Sequence, residues 1–316
     1  RKTAEAASAA LSIPEDSVLV ASTGVIGKQI PIDKIAAGVE MLKPQLAATR
    51  EAAATAAQAI MTTDTEPKEV AVQIEIGGKT VTIGSMCKGS GMIHPDMATM
   101  LVFITTDCAI SSEMLRKALS SDIKDTFNMV SVDGDTSTND MVTVLANGMA
   151  GNIEINSEGD AFNIFMKALN TVTVYLCRAI AGDGEGATKL LECKVHGAAA
   201  SETAKTVAKS VICSSLTKAA MFGADANWGR VLCAIGYSKA NVDVSKIDVA
   251  FTSAAGTVAV CKNGAGITFS EELAKTILTE GEITIDINLN SGSYSSTAWG
   301  CDLTYDYVKI NGDYRT

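Results

Sequence analysis

Thr99 is the residue of this chain best placed to do chemistry. Lys88 to Leu101 reads KGSGMIHPDMATML, a glycine-rich loop that delivers Thr99 to the start of an apolar run. A threonine hydroxyl is a poor nucleophile until a base takes its proton. One source of that base is the residue's own α-amino group, freed when the preceding peptide bond is cut, and such an amine titrates near a pKa of about 8. The sequence therefore predicts a break between Ala98 and Thr99, beside the plainer reading of a β-favouring threonine opening a strand. Acyl transfer also needs donors for an oxyanion and groups that orient the substrate. Thr23 and Gly24, in the STGVIG loop from Ser22 to Gly27, can aim a hydroxyl and a backbone N–H at one oxygen, or simply form a capped strand-to-helix turn. Lys88, beside the glycine loop, can fix a carboxylate as a point charge; the alternative is an ordinary solvated lysine.

Other chemistry-bearing residues fit less well. His94 stands five residues before Thr99, but a break at Thr99 would leave it at the tail of the other fragment, so it reads as a loop-packing or cleavage-step residue. His196 falls in a predicted strand and reads as a packing residue. GGKT at Gly77 to Thr80 has Gln73 where a P-loop needs its first glycine. GDGEG follows a helix and leads into a strand, the reverse of a dinucleotide fingerprint. DGDTSTND, from Asp133, has Thr138 where a calcium loop needs glycine and Val144 where it needs glutamate; it reads as a turn at the active site. No metal or nucleotide cofactor is expected.

The elements that must position these residues follow from periodicity. The pattern predicts a helix over Lys2–Leu11, a strand at 17–21 and alanine-rich helices from Asp33 to Ile60. A hairpin comes next: Val70, Val72, Ile74 and Ile76 alternate with polar or small residues, Gly77 and Gly78 turn, and Val81 and Ile83 resume the alternation. Its return strand runs directly into Lys88. After Thr99 the pattern predicts a strand to Thr106, a helix capped by Ser111 or Ser112, and a long helix with Phe162, Phe165, Leu169, Leu176 and Ile180 on one face. A strand at KLLECKV, a helix from Glu202 to Met221, an alternating strand from Ile283 to Leu289 and a long strand from Thr297 to Ile310 complete the reading. Helices mixed with hairpins argue for an α+β layered protein.

At 316 residues and 47% hydrophobic the chain can bury a large core. Its formal net charge of -10 and the lack of any Lys/Arg-rich run exclude a nucleic-acid partner. The eight cysteines are scattered without a CxxC pair and read as buried thiols of a reducing compartment. No unbroken apolar stretch is long enough for a bilayer, and the first residues read as a mature amphipathic helix with no signal peptide. A soluble intracellular protein without a membrane partner is expected.

KGSGMIHPDMATML, together with STGVIG, TTDTEPK from Thr62, GDGEGATK from Gly182, NWGR from Asn227 and INGDYRT from Ile310, resembles in order the motifs of the ornithine acetyltransferase family of arginine biosynthesis. The resemblance implies an α+β fold with layered sheets between helices, N-terminal-nucleophile-hydrolase-like and DmpA-like. It implies one catalytic unit that cuts itself into an α chain 1–98 and a β chain 99–316, two of each in the assembled enzyme. The implied reaction moves an acetyl group from N2-acetylornithine to glutamate through an ester on Thr99, with acetyl-CoA a further donor in some members. Thr23 and Gly24 look like the oxyanion hole. Thr62, Lys88, Thr99, Glu185, Asn311 and Thr316 match substrate contacts, Lys88 toward the α-carboxylate and Glu185 toward the side-chain amine. A role for Thr316 requires an ordered tail. Family members usually carry a substantial segment before the point equivalent to Arg1, and Asp96 and Ala226 replace the commoner asparagine and proline. The implied compartment is the cytoplasm, or the mitochondrial matrix in a eukaryote. An aminopeptidase or amidase using water as acceptor, and an unprocessed binding protein of the same fold, are the alternatives.

Overall fold

Gly77 and Gly78 both take positive φ, 58° and 73°, the combination a tight two-residue hairpin requires. They join β1 (Lys68–Ile76) to β2 (Lys79–Lys88) in unbroken antiparallel register. The computed structural model describes residues 1–94 and 100–313, so Ala98, Thr99 and Thr316, and with them Asp96, lie outside the described residues. Beyond them β3 (Leu101–Thr106) pairs antiparallel with β2, Lys88 opposite Leu101. β4 (Val130–Ser131) belongs to a second sheet, and β5 (Met141–Ala146) closes the first by pairing parallel with β3.

The second sheet has seven strands in the order β4-β11-β6-β10-β7-β8-β9. These are β6 (Leu190–Ala198), β7 (Asp248–Ser253), β8 (Gly256–Lys262), β9 (Ala265–Gly266), β10 (Glu282–Asn288) and β11 (Tyr294–Cys301). Ile283, Ile285 and Ile287 point to one buried face of β10, as strict alternation demands. The helices are α1 (Lys2–Leu11), α2 (Ile32–Leu42), α3 (Arg50–Ala59), α4 (Ser112–Asp122), α5 (Asp160–Gly182), α6 (Ser201–Cys213), α7 (Ser215–Phe222), α8 (Trp228–Tyr237), α9 (Glu271–Leu278) and α10 (Tyr305–Asp313). The chain is thus α+β.

Helix α5 runs between the two sheets, against β1 and β2 on one side and β11 and β6 on the other, while α6 packs on β6 and β11. Phe162, Phe165, Leu169, Val172, Leu176 and Ile180 are buried along it, and each such side chain contributes about 1.5–3 kcal/mol by leaving water. Among the described residues α5 is also the one helix long and apolar enough to cross a membrane. The sequence expectation of no such stretch is amended, because length and composition alone do not distinguish a span from the core helix seen here.

Three elements depart from expectation. Residues 18–21 form no strand: a 3-10 turn at Glu15–Ser17 leads into irregular chain with Leu19 and Val20 exposed, and neither sheet draws a strand from before Lys68. An apolar run without a neighbour to satisfy its backbone does not become a strand. The helix expected from Glu202 to Met221 breaks at Ser214, whose extended backbone ends α6 and whose hydroxyl accepts the Thr217 N–H to start α7. The strand expected to run to Ile310 stops at Cys301. Asp302 accepts the N–H groups of Thr188 and Lys189, and the Thr304 hydroxyl receives the Tyr307 N–H at the start of α10. All eight cysteines are free thiols, six of them buried, but Cys233 is exposed and Cys213 half-buried. His196 sits on β6 as expected, with Nε2 2.9 Å from Asp286 Oδ1.

Candidate active site

The last residue of β2 is Lys88, and the glycine loop that follows is clamped on both sides. Its Gly89 N–H donates to Asp64 Oδ1 (2.7 Å), its Ser90 hydroxyl donates to the Asp183 carbonyl (2.7 Å), and the Glu185 N–H donates to the Ser90 carbonyl (3.1 Å). Met92 and Ile93 donate their N–H groups to the two oxygens of Asp133. The hairpin, the end of α5 and the DGDTSTND turn therefore meet at this loop. Gly91 makes room for Glu185: a Cβ on it would lie 2.2 Å from the Glu185 carboxyl carbon.

Under the loop lies a buried ionic cluster. Lys68 pairs with Asp64 (2.7 Å) and with Asp183 at the end of α5. Burial pushes the Asp64 carboxyl up, but the Lys68 hydrogen bond and charge and the Gly89 and Thr62 N–H donors outweigh it and hold it below the usual range. Burial likewise pushes Lys68 down, and Asp183 and Asp64 overcome that and raise it. The cluster is a fixed platform that ties the TTDTEPK segment to GDGEG.

Above it, Lys88 is only 4% exposed and donates from Nζ to Thr62 Oγ1 (3.0 Å). Burial lowers its pKa, and the charges of Asp64, Asp140 and Glu185 oppose that. Glu185, also buried, accepts a hydrogen bond from Asn311 Nδ2 on α10 (2.9 Å). Gly186 lets α10 approach: its φ is +69° and a Cβ there would lie 2.5 Å from the Tyr307 N. The Tyr307 hydroxyl is kept protonated, first by burial and then by the charges of Asp133, Asp135 and Glu185. Asp133 and Tyr307 also line a cavity of about 210 Å³. On the β5 side, Asp140 accepts the Met100 N–H. Burial pushes its carboxyl up to about 7 against that hydrogen bond and the charge of Lys88.

Of the residues singled out by sequence, the structure joins Thr62 to Lys88 and Glu185 to Asn311. Among the described residues no hydrogen bond links Thr23 or Gly24 to this cluster, and a Cβ on Gly24 would meet nothing within 4 Å. Ala98, Thr99 and Thr316 lie outside the described residues. His94 Nδ1 is 3.0 Å from the Ser131 hydroxyl and 3.6 Å from Cys213 Sγ, on the edge of a separate cavity of about 620 Å³. Sequence reasoning missed Asp64, Lys68, Asp183, Asp140 and Tyr307. Asp64 and Lys68 carried a signal as members of the TTDTEPK segment, Asp183 as a member of GDGEGATK and Asp140 as the last residue of DGDTSTND; Tyr307 carried none. An ammonium and a carboxylate, both buried and both at the mouth of one glycine loop, can orient a zwitterion.

A model of the ArgJ family matches residues 1–316 of this chain. The arginine biosynthesis bifunctional protein ArgJ 1 of Clostridium acetobutylicum is 54% identical over 313 residues, spanning 99% of this chain and 76% of the relative. The arginine biosynthesis bifunctional protein ArgJ of Thermotoga neapolitana is 48% identical over 316 residues, 100% of this chain and 79% of the relative. A crystal structure of arginine biosynthesis bifunctional protein ArgJ from Bacillus halodurans superposes with a TM-score of 0.66 at 48% identity, covering 68% of this chain and 100% of that one.

Proposed function

The chain belongs to the ArgJ family, and on that premise we propose that it is an acetyltransferase of arginine biosynthesis. It moves the acetyl group of N2-acetylornithine to glutamate through an ester on Thr99, after cutting its own chain between Ala98 and Thr99. The observation that carries this reading is the placing of two buried, opposite charges beside the loop that leads to Thr99: Lys88 at its start, and Glu185, from the loop after α5, with its carboxylate against Gly91. Lys88, with Thr62 beside it, receives the substrate α-carboxylate. Glu185, steadied by Asn311, receives the side-chain ammonium. Thr316 completes the contacts.

Cleavage consumes one water across the Ala98–Thr99 bond and frees the Thr99 amine. In turnover the amine takes the Thr99 Oγ proton as Oγ attacks the acetyl carbonyl, and Thr23 with Gly24 stabilises the oxyanion. The acetyl C–N bond breaks, the proton passes to the departing α-amine, and ornithine leaves. The α-amine of glutamate then attacks the ester, and Thr99 Oγ recovers its proton. Use of acetyl-CoA as a second donor accords with the word bifunctional in the names of the relatives. The assembled enzyme is two α plus two β chains, in the cytoplasm.

Thr99→Ala tests the reading. We expect one uncleaved band on a denaturing gel and no acetyl transfer, where the native chain gives two bands, a new N-terminus at Thr99 and ping-pong kinetics. Turnover by the uncleaved variant at the native rate would overturn it.

A further inference from the structure

We propose that the cavity of about 620 Å³ with His94 on its edge is a second ligand site, one that takes the phosphates of an acyl-CoA and directs its acyl end toward the candidate active site. The inference rests on the reading of acetyl-CoA as a second donor. It begins with charge. The chain carries 36 acidic against 26 basic side chains, yet Lys124, Lys205, Lys209 and Lys239 all line this cavity, and Glu202 is the one carboxylate among its lining residues. Three elements bring the lysines together. Lys205, Lys209 and Cys213 recur every four residues along α6 and so share one face of it. Lys124 lies just past the end of α4, and Lys239 lies in the left-handed turn that follows α8 (φ 65°).

The four lysines are not equivalent. Lys209 Nζ donates to the Asn128 and Val130 carbonyls (both 2.7 Å) and so builds the wall. Lys205 pairs with the exposed Asp125 (2.6 Å), a contact that water weakens. Lys124 and Lys239, both exposed, make no ion pair among the described residues. Like charges gathered round one concavity repel each other, and a polyanion turns that repulsion into attraction. An ammonium is also a good point-charge partner for phosphate. Tyr237, 55% exposed and lining the same cavity, offers a ring on which a base can stack. The floor gives the direction. His94 contacts Ser131 and Cys213 there, and those two residues also line the neighbouring cavity of about 210 Å³ with Asp133 and Tyr307. Asp133 holds the glycine loop through the Met92 and Ile93 N–H groups, and the helix bearing Tyr307 also bears Asn311, which donates to Glu185. A multiply charged nucleotide at one end and a long uncharged arm at the other is the ligand chemistry that suits both ends of this path. No bond is made or broken in the cavity.

The double variant Lys124→Ala with Lys239→Ala tests the site. Its KM for acetyl-CoA in the acetylation of glutamate is expected to rise at least tenfold with kcat within twofold, while transfer from N2-acetylornithine to glutamate is unchanged. Acetyl-pantetheine, a thioester without the phosphates, is the control donor, and its KM should be the same in native and variant enzyme. Calorimetry should show coenzyme A binding to the native protein, more weakly as salt rises and at least tenfold more weakly to the variant. An unmoved KM for acetyl-CoA, an equal loss with acetyl-pantetheine, or no acetylation of glutamate from acetyl-CoA by the native enzyme would overturn the inference. So would binding of ATP or inorganic phosphate as tight as that of coenzyme A, the mark of a general anion site. Thr99→Ala, run in parallel, separates the two ideas. An active Thr99→Ala sinks the nucleophile and leaves the cavity standing, whereas an inert one beside a double variant with native KM sinks only the cavity. Should the double variant fail to fold, the native protein decides: coenzyme A should shield Lys124 and Lys239 from acetic anhydride, read by peptide mass spectrometry, and leave Lys79 at the β1–β2 turn reactive. Equal labelling with and without coenzyme A would count against the site.

Discussion

Lys88 and Lys68 are both almost fully buried, yet the partners the structure gives them differ: the neutral Thr62 hydroxyl for Lys88, two carboxylates for Lys68. A buried ammonium without a counter-ion is a cost to folding that a bound carboxylate removes. Lys88→Met, which keeps the apolar stem, is therefore expected to leave the melting temperature unchanged or higher while raising KM about 10–100-fold, the worth of one charged hydrogen bond. Steady-state kinetics and thermal unfolding on the same sample check both halves. Lys68→Met should do the reverse, costing about 3–5 kcal/mol of stability because Asp64 and Asp183 are left buried and uncompensated. The pH dependence has a definite sign. Asp64 is held low, so its contribution is present above about 3.9 and is lost as pH falls through its folded pKa; Lys68 is held high, so its contribution is complete below about 10.4 and is lost as pH rises through its folded value. Melting temperatures followed from acid to alkaline pH should show both limbs in the native chain and a weaker acid limb in Lys68→Met.

The elements that carry the site meet through glycines, and Gly91 is where that can be tested. The three atoms closest to a Cβ on Gly91 all belong to the Glu185 carboxylate, the free end of a side chain. Gly91→Ala should therefore displace Glu185 from Asn311 and leave the loop in place. Its expected result is a raised KM for the ornithine donor with a melting temperature within a few degrees of native; an unchanged KM would mean that Glu185 makes no substrate contact. The same local logic decided what the sequence could reveal. The Gly77–Gly78 hairpin, the Ser111 cap of α4 and the apolar face of α5 were legible because neighbouring residues determine them. Residues 18–21 and the chain after Cys301 were not, because a strand exists only where another strand receives it, and pairing is decided far away in sequence. Lys88, Thr62, Glu185 and Asn311 could be named from motifs. Their pairing, and the placing of Asp183 and Asp140, needed the contact of α5 with β1 and the register of β3 with β5.

At the scale of the whole molecule, a break before Thr99 would fall inside one sheet. β1 and β2 would belong to the α chain and β3 and β5 to the β chain, joined by the ladder from Ile83 opposite Thr106 to Lys88 opposite Leu101. Helix α5, from the β chain, packs on β1, and Lys68 of one fragment pairs with Asp183 of the other. The forces holding the pieces are thus strand hydrogen bonds, a shared core and a buried ion pair. Long-range charge opposes them: residues 1–98 carry 9 basic and 11 acidic side chains and residues 99–316 carry 17 and 25, so both fragments are net negative. Salt of about 1 M shrinks the screening length to about 3 Å, which weakens that repulsion and barely touches buried contacts. The two fragments should therefore elute together in native size-exclusion chromatography at low and at high salt, parting only at the denaturant concentration that abolishes the β-sheet signal in circular dichroism. Separation by salt alone, with the fold intact, would show that the fragments are held at the surface and that the single catalytic unit is the wrong description.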